Sequence, residues 1–261
     1  MKDNKKPIPV LGTLILNGSK WIKNQIDSID YPVENYIIIN NGGGGEMKEE
    51  LEYITRPTHK YIKNIIISTM PYNIGCAAGW NMVIKSYMKQ PYWIISNHDV
   101  SFSEGFLEEM NEIAQDNTVG LIHGSRGDFN LGSFDLFLIK DWVIQSHGLF
   151  DENFYPAYCE DADYIMRLHN NPVKTVKEIS KKYYHGGSFN YYETGSNTKK
   201  DNPMLTEKLN RINIKNFEYM DKKWGHGWRI VNPFKYPFNI EGLDPRTTSF
   251  DLEYCKNKHL G

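Results

Sequence analysis

The stretch Tyr92-Trp-Ile-Ile-Ser-Asn-His-Asp99 limits the fold more than any other part of the chain. Its four leading residues are aromatic or β-branched, follow Pro91 and show no polar alternation, the pattern of a strand covered on both faces. Such a strand belongs in the middle of an open α/β sheet. The polar cluster that ends it then falls at the carboxyl rim, where these sheets bind ligands. Asp99 at that rim is a hard oxygen donor suited to a divalent cation carrying phosphates.

Other segments repeat the theme. Val10 to Leu16 reads as the first strand, Asn17-Gly18-Ser19 as a turn, and Ser19 as the cap of a helix with Trp21, Ile22, Ile26 and Ile29 at helical spacing. Tyr36 to Ile39 is a second strand, followed by Asn40, Asn41, four glycines and a helix from about Glu46 to Thr55; Ile65 to Ser68 is a third. The small-residue segment Asn73 to Asn81 opens a helix running through Met88 that can lie close against a ligand or a strand. Ser103 to Gln115 reads as a helix capped by Ser103, with Phe106, Leu107, Met110 and Ile113 on one face. Val119 to His123 and Phe134 to Ile139 are further strands. Alternating strands and helices predict a mainly parallel sheet with both faces covered.

After Ile139 the alternation weakens. Glu160 to Asn170 reads as a helix, Val173 to Ile179 as an edge strand and Leu205 to Met220 as a helix. Pro, Gly and aromatic residues with little periodicity follow. The expected division is one α/β domain over 1–223 and a tail over 224–261 that packs on it or on a partner. The segment Trp224 to Phe238 offers a surface through which a homo-oligomer could form.

A formal charge of −2 gives no electrostatic case for nucleic acid. No apolar run approaches the roughly 18 residues that cross a bilayer. Lys2, Lys5 and Lys6 before Val10 imitate a secretory signal, but Gly12 and Thr13 interrupt the run and no small-residue cleavage site follows. Cys76, Cys159 and Cys255 are odd in number and far apart, without zinc or disulfide spacing, which suits a reducing cytoplasm.

The chemistry-bearing clusters are few. Gly42 to Gly45 lacks both the dinucleotide fingerprint and the P-loop ending, so it reads as a flexible turn. A cation on Asp99 needs further ligands, and His185 in Tyr183-Tyr-His-Gly-Gly-Ser188 is the best protein candidate. Glu160-Asp161-Ala-Asp163 opens a helix, where the helix dipole alone accounts for Asp163. Arg167 can pair with Asp163 four residues before it. That leaves Glu160 or Asp161 as a general base on a rigid element, and spacing does not choose between them.

In order along residues 10 to 188, these segments resemble the GT-A glycosyltransferases of the large inverting family that contains bacterial rhamnosyltransferases. Thr13-Leu-Ile-Leu-Asn17 is similar to the family's opening strand and Ile37-Ile-Ile-Asn-Asn-Gly42 to its second, usually ending Asp-Asn. Asn73-x-Gly75 with Asn81 is similar to its Asn-x-Gly segment, and Asn97-His-Asp99 stands in the place of its metal motif. Gly148-Leu-Phe-Asp151 resembles Gly-Gly-Phe-Asp, and Glu160-Asp-Ala-Asp-Tyr-Ile-Met-Arg167 resembles Glu-Asp-x-Asp-x-x-x-Arg. His185-Gly-Gly-Ser188 is similar to the family's end that approaches the diphosphate.

The resemblance implies a GT-A fold and transfer of a sugar from a nucleotide-diphosphate sugar, UDP- or dTDP-linked, to a glycan or other acceptor hydroxyl. It implies Asp161 as base with Glu160 beside it, and Mn²⁺ or Mg²⁺ on Asp99 and His185. Leu16, Asn17, Asn40, Asn41, Asn73, Gly75, Asn81, Asn97 and His98 would then line the nucleotide side. Asn40 replaces the usual aspartate, Asn97 the first Asp of Asp-x-Asp, and Leu149 the second glycine. Two other readings compete with it: a nucleotidyltransferase, which needs a basic loop for a triphosphate that is missing near the glycines, and a catalytically silent sugar- or nucleotide-binding protein of the same fold.

Overall fold

The computed structural model describes residues 6–17, 20–42, 50, 53–55, 59–124, 133–170, 172–176, 179–186 and 203–225. The strands are β1 (Ile8–Ile15), β2 (Val33–Asn40), β3 (Ile62–Thr69), β4 (Tyr92–Asn97), β5 (Val100–Phe102), β6 (Val119–Gly124), β7 (Ser133–Lys140), β8 (Lys174–Val176) and β9 (Tyr183–His185). The helices are α1 (Trp21–Asp27), α2 (Cys76–Ser86), α3 (Phe106–Ala114), α4 (Asp141–His147), α5 (Glu160–Asn170) and α6 (Pro203–Trp224).

Seven strands form one sheet in the order β3-β2-β1-β4-β7-β6-β8, and β5 pairs with β9 in a separate ribbon. The β3-β2-β1-β4 half is parallel, and β7 runs antiparallel to both its neighbours. β4 is central, as its uninterrupted apolar run predicts. Side-chain alternation explains that run, because both faces are covered. Tyr92 and Ile94 face the core under α1 and α3, whereas Trp93 and Ile95 face the core shared by α2, α4 and α5.

The small residues of α2 serve strand contact. A Cβ on Gly79 would stand 2.0 Å from Leu14 Cδ2, and one on Gly12 would stand 2.3 Å from Val83 Cγ1. Helix and strand therefore touch at glycines from both sides.

Several expectations change. Ser103 does not cap α3; its hydroxyl donates to the Lys182 carbonyl and accepts from the Lys182 N–H, while Gly105 in the left-handed region precedes the helix. The strand pairing beside Ser103 takes the hydroxyl that a cap would have used. Lys20 stands before α1 with no side-chain cap bond. Ser19, glycines 43–45 and most of the helix expected over 46–55 lie outside the described residues. The edge strand expected over Val173 to Ile179 has Lys174–Val176 as its described part, parallel to β6. α6 is longer than its expected span at both ends. Its last residue, Trp224, is buried with Tyr219 and Met220 against Phe154 and Ala162. Residues 226–261, and with them most of the expected tail, lie outside the description.

Candidate active site

The parallel strands end together. Ile15 pairs with Asn40 and Leu14 with Asn97, so Leu16, Asn17, Asn40, Asn41 and Asn97-His98-Asp99 share one carboxyl rim. The Asn41 N–H donates to the Ile15 carbonyl (2.6 Å), and its side chain donates to Asn73 Oδ1 (3.0 Å) and accepts from the Ile74 N–H (2.8 Å). Asn73 Oδ1 also accepts from the Gly75 N–H at 2.9 Å. Gly75 has φ of 89°, and a Cβ there would stand 2.9 Å from the Tyr155 ring. Asn40 Oδ1 accepts from the Gly42 N–H. These asparagines thus shape the loops around the rim through local bonds, a use for which the short amide is well suited. Asn81 lies elsewhere. Buried within α2, it donates to the Phe150 carbonyl (2.9 Å) and Glu152 (2.8 Å) and accepts from the Phe150 N–H (2.9 Å), so its amide braces the 150 loop.

The β5–β9 ribbon brings the two expected cation ligands together across the chain. Val100 pairs with His185, and the Gly186 N–H donates to the Asp99 carbonyl at 3.0 Å. Asp99 Oδ1 lies 3.2 Å from His185 Nε2. The other ring nitrogen, Nδ1, lies 3.1 Å from Oδ2 of Asp135 on β7. All three residues are buried. Burial alone would lower the His185 pKa, but hydrogen bonds and charge from Asp135 and Asp99 outweigh it and lift the imidazole to about 9.

The turn carrying Asp99 is fixed from two sides. Gln25 of α1 is fully buried, and its amide donates to Ser96 Oγ (3.0 Å) and to the carbonyls of Asn97 (2.8 Å) and Val100 (3.1 Å). Its own oxygen accepts from the Tyr36 hydroxyl at 2.5 Å. His98 is bonded to the backbone of Leu14 and Asn17, tying the turn to the end of β1, and burial pulls its pKa down.

The carboxylate pair opens α5. Tyr158 and Cys159 just before it have φ of 79° and 75°, a conformation that costs non-glycine residues energy and is held by surrounding structure. Asn216 of α6 supplies part of that hold by donating to the carbonyls of Ala157 (2.8 Å) and Tyr158 (3.0 Å). Glu160 is buried, and desolvation, reinforced by the charge of Asp161, raises its pKa well above the carboxylate range. Asp161 is partly exposed, and its Oδ1 accepts from the Ala162 N–H at 2.7 Å. Cys76 sits close enough for both carboxylates to push its thiol pKa up, burial being the main cause. Its N–H donates to the Pro156 carbonyl at 2.7 Å, and the Tyr155 hydroxyl donates to the Asn73 carbonyl at 3.0 Å, so the Asn73–Cys76 segment abuts the approach to α5.

Behind the pair lies a buried charge network. Asp163 meets Arg167 at 3.1 Å, as its spacing implies, and also Lys223 (2.7 Å) and Trp224 Nε1 (2.8 Å) of α6. Lys223 also bonds Asp151 at 2.7 Å. Sequence reading missed Gln25, Asp135, Asn216 and Lys223. Asp135 carried a readable signal, a lone carboxylate inside the apolar strand Phe134 to Ile139; the others carried none.

Among the described residues no three His, Cys, Asp or Glu side chains form a closed metal cage. Asp99 and His185 nevertheless fit a cation that takes its remaining ligands from a diphosphate and water, since one carboxylate oxygen and one imidazole nitrogen converge at a ligand-binding rim.

A scan against models of known protein families finds no match. A galactofuranosyl glycosyltransferase from Leishmania donovani is 24% identical over an alignment covering 56% of this chain and 49% of its own length. The chain thus spans about half of the curated relative it matches. Among solved structures, the Pyrobaculum calidifontis mannosyltransferase in complex with GDP-Man and Mn²⁺ has a TM-score of 0.54 and 13% identity, over 68% of this chain and 56% of that one. GalNAc-T7 with UDP, GalNAc and Mn²⁺ has a TM-score of 0.57 and 10% identity, over 70% and 44%. The fold is the α/β GT-A fold of these glycosyltransferases.

Proposed function

We propose that the chain is an inverting glycosyltransferase that moves a hexosyl or deoxyhexosyl group from a nucleotide-diphosphate sugar, UDP- or dTDP-linked, to an acceptor hydroxyl in glycan synthesis. The observation that carries this reading is the meeting of Asp99 and His185 at the carboxyl rim of β4. The shared fold supports it, because the solved relatives hold nucleotides or nucleotide sugars with Mn²⁺. A bound Mn²⁺ or Mg²⁺ would supply Lewis-acid stabilisation of the departing diphosphate, with Asp99 and His185 as its protein ligands.

The remaining roles belong to the chain's own groups. The loops set by Asn40, Asn41, Asn73 and Gly75, with Asn17 just past β1, border the nucleotide. Glu160 is buried and desolvation pushes its pKa up, whereas Asp161 is partly exposed at the start of α5, which supports the base role that the family resemblance implies for Asp161. Asp161 takes the proton of the acceptor hydroxyl as that oxygen bonds to the anomeric carbon and the bond from that carbon to the diphosphate breaks. A single displacement of this kind inverts the anomeric centre.

The test is nucleotide release from UDP-, dTDP- and GDP-sugars, with and without added acceptors. We expect release from one donor class, and a loss of about 10²–10⁴-fold in acceptor-dependent transfer in folded Asp161→Asn. Near-normal transfer in that variant would remove Asp161 as base. Nucleotide binding with no release from any donor would point to the silent sugar-binding reading.

A further inference from the structure

We propose that Asp135 is a positioning residue that aims His185 Nε2 at the cation site; this rests on the metal-assisted reading above. Asp135 stands on β7, one residue past the Ser96–Leu136 pair and therefore beside the end of β4. Its buried neighbours Phe134 and Leu136 belong to apolar core. A carboxylate in such a place is costly unless bonded, and its partners come from one side of β9. Tyr183 and His185 are two residues apart, which puts both side chains on the same face of the strand. The Tyr183 hydroxyl donates to Asp135 Oδ2 at 3.1 Å, and His185 Nδ1 stands 3.1 Å from the same oxygen.

Asp99 approaches the opposite ring nitrogen, Nε2, at 3.2 Å. With a carboxylate at each ring nitrogen, both nitrogens carry protons while the cation is absent; a cation on Asp99 takes the place of the Nε2 proton, and Asp135 holds the remaining one at Nδ1. The Nε2 lone pair then faces Asp99 and the rim. Asp135 itself lies behind the ring, consistent with the absence of a closed three-residue cage among the described residues. A carboxylate bonded to the far nitrogen of a metal-binding histidine fixes its tautomer and orientation and raises its basicity as a ligand. Asp135 is thus neither a ligand nor a base. It sets which nitrogen His185 offers.

The experiment is Mn²⁺ titration of the full chain in the presence of UDP, followed by the electron paramagnetic resonance signal of free Mn²⁺, for wild type, Asp135→Asn and Asp135→Leu. Asparagine keeps an acceptor for Nδ1–H without the charge; leucine removes it. We expect Mn²⁺ affinity to fall modestly in Asp135→Asn and by about 10–100-fold in Asp135→Leu. Histidine ¹⁵N–¹H spectra of the Mg²⁺-loaded protein should show the Nδ1–H tautomer of His185 in wild type and its loss in Asp135→Leu, a change that a purely structural role would not produce. Unchanged affinity and tautomer in folded Asp135→Leu would overturn the role. Should that variant fail to fold, unchanged Mn²⁺ affinity in Asp135→Asn would overturn it. Failure of wild type to bind Mn²⁺ would instead overturn the metal reading, and this role with it.

Discussion

Glu160 and Asp161 are neighbours in sequence but not in environment. Glu160 is buried and its pKa is raised by desolvation first and by Asp161 second, so the folded protein binds a proton there that the unfolded chain releases near the ordinary Glu value. The stability held by that proton is complete below the unfolded pKa and is lost as pH rises toward the folded one. We expect Glu160→Gln, which needs no proton, to gain stability over wild type at about 1.4 kcal/mol per pH unit across that window. Urea unfolding from pH 5 to 8 checks this; a pH-independent difference would mean that Glu160 ionises freely. Gln25 is another residue whose environment decides its use. In Gln25→Leu the carbonyls of Asn97 and Val100 lose their donor and the Tyr36 hydroxyl its acceptor. We expect a loss of about 1–3 kcal/mol per group left unbonded and weaker nucleotide binding in Mn²⁺, because the Asp99 turn loosens. Stability and affinity both equal to wild type would contradict that. The sequence marked Asp99, His185, Glu160 and Asp161 because carboxylates and histidine at element ends stand out from a turn or an apolar run. Gln25 looked like any polar residue of an amphipathic helix, since its three acceptors come from a turn more than 70 positions away.

At the scale of elements, α6 clamps the start of α5. Asn216 holds the strained carbonyls before the carboxylate pair, and Lys223 and Trp224 hold Asp163 just after it. Burial would raise the Asp151 pKa, but the charge and bond of Lys223, with bonds from the Asn153 N–H and the Tyr219 hydroxyl, hold it below the ordinary value. That stability is present above the unfolded Asp pKa and is lost as pH falls through the depressed folded value. Lys223→Met strands a charge on Asp151 beside Asp163, and breaking a buried pair by one partner costs about 3–5 kcal/mol. We expect a comparable loss in denaturant unfolding, with acid unfolding beginning at higher pH; wild-type stability would show the network to be dispensable. The helix periodicity over 205–220 was plain in the sequence. Which helix it would grip was not, because Lys223 and Trp224 lie past the span that read as helix, Trp224 at the start of what read as an aromatic tail.

For the molecule as a whole, the apolar runs told most. Consecutive aromatic and β-branched residues at 36–39 and 92–95 can be buried on alternating faces only inside a covered sheet, and β1, β2 and β4 lie there in parallel. The β5–β9 ribbon was not visible, since three-residue strands carry too little pattern to separate from loop. Yet it is the ribbon that joins positions 99 and 185 into one site. Antiparallel β7, which delivers Asp135, likewise followed from pairing partners and not from local composition. No helix among the described residues is long and apolar enough to cross a membrane. The most direct measurement is the melting temperature of the chain with UDP, dTDP and GDP, each in Mn²⁺ or in chelator, for wild type and Asp99→Asn. Binding at a hundredfold excess over Kd adds about 2.7 kcal/mol, roughly 5–10 °C for a chain of this size. We expect such a rise with one nucleotide in Mn²⁺, absent in chelator and absent in Asp99→Asn. No rise with any nucleotide, or the same rise in chelator and in Asp99→Asn, would contradict a metal-assisted nucleotide-sugar site at this rim.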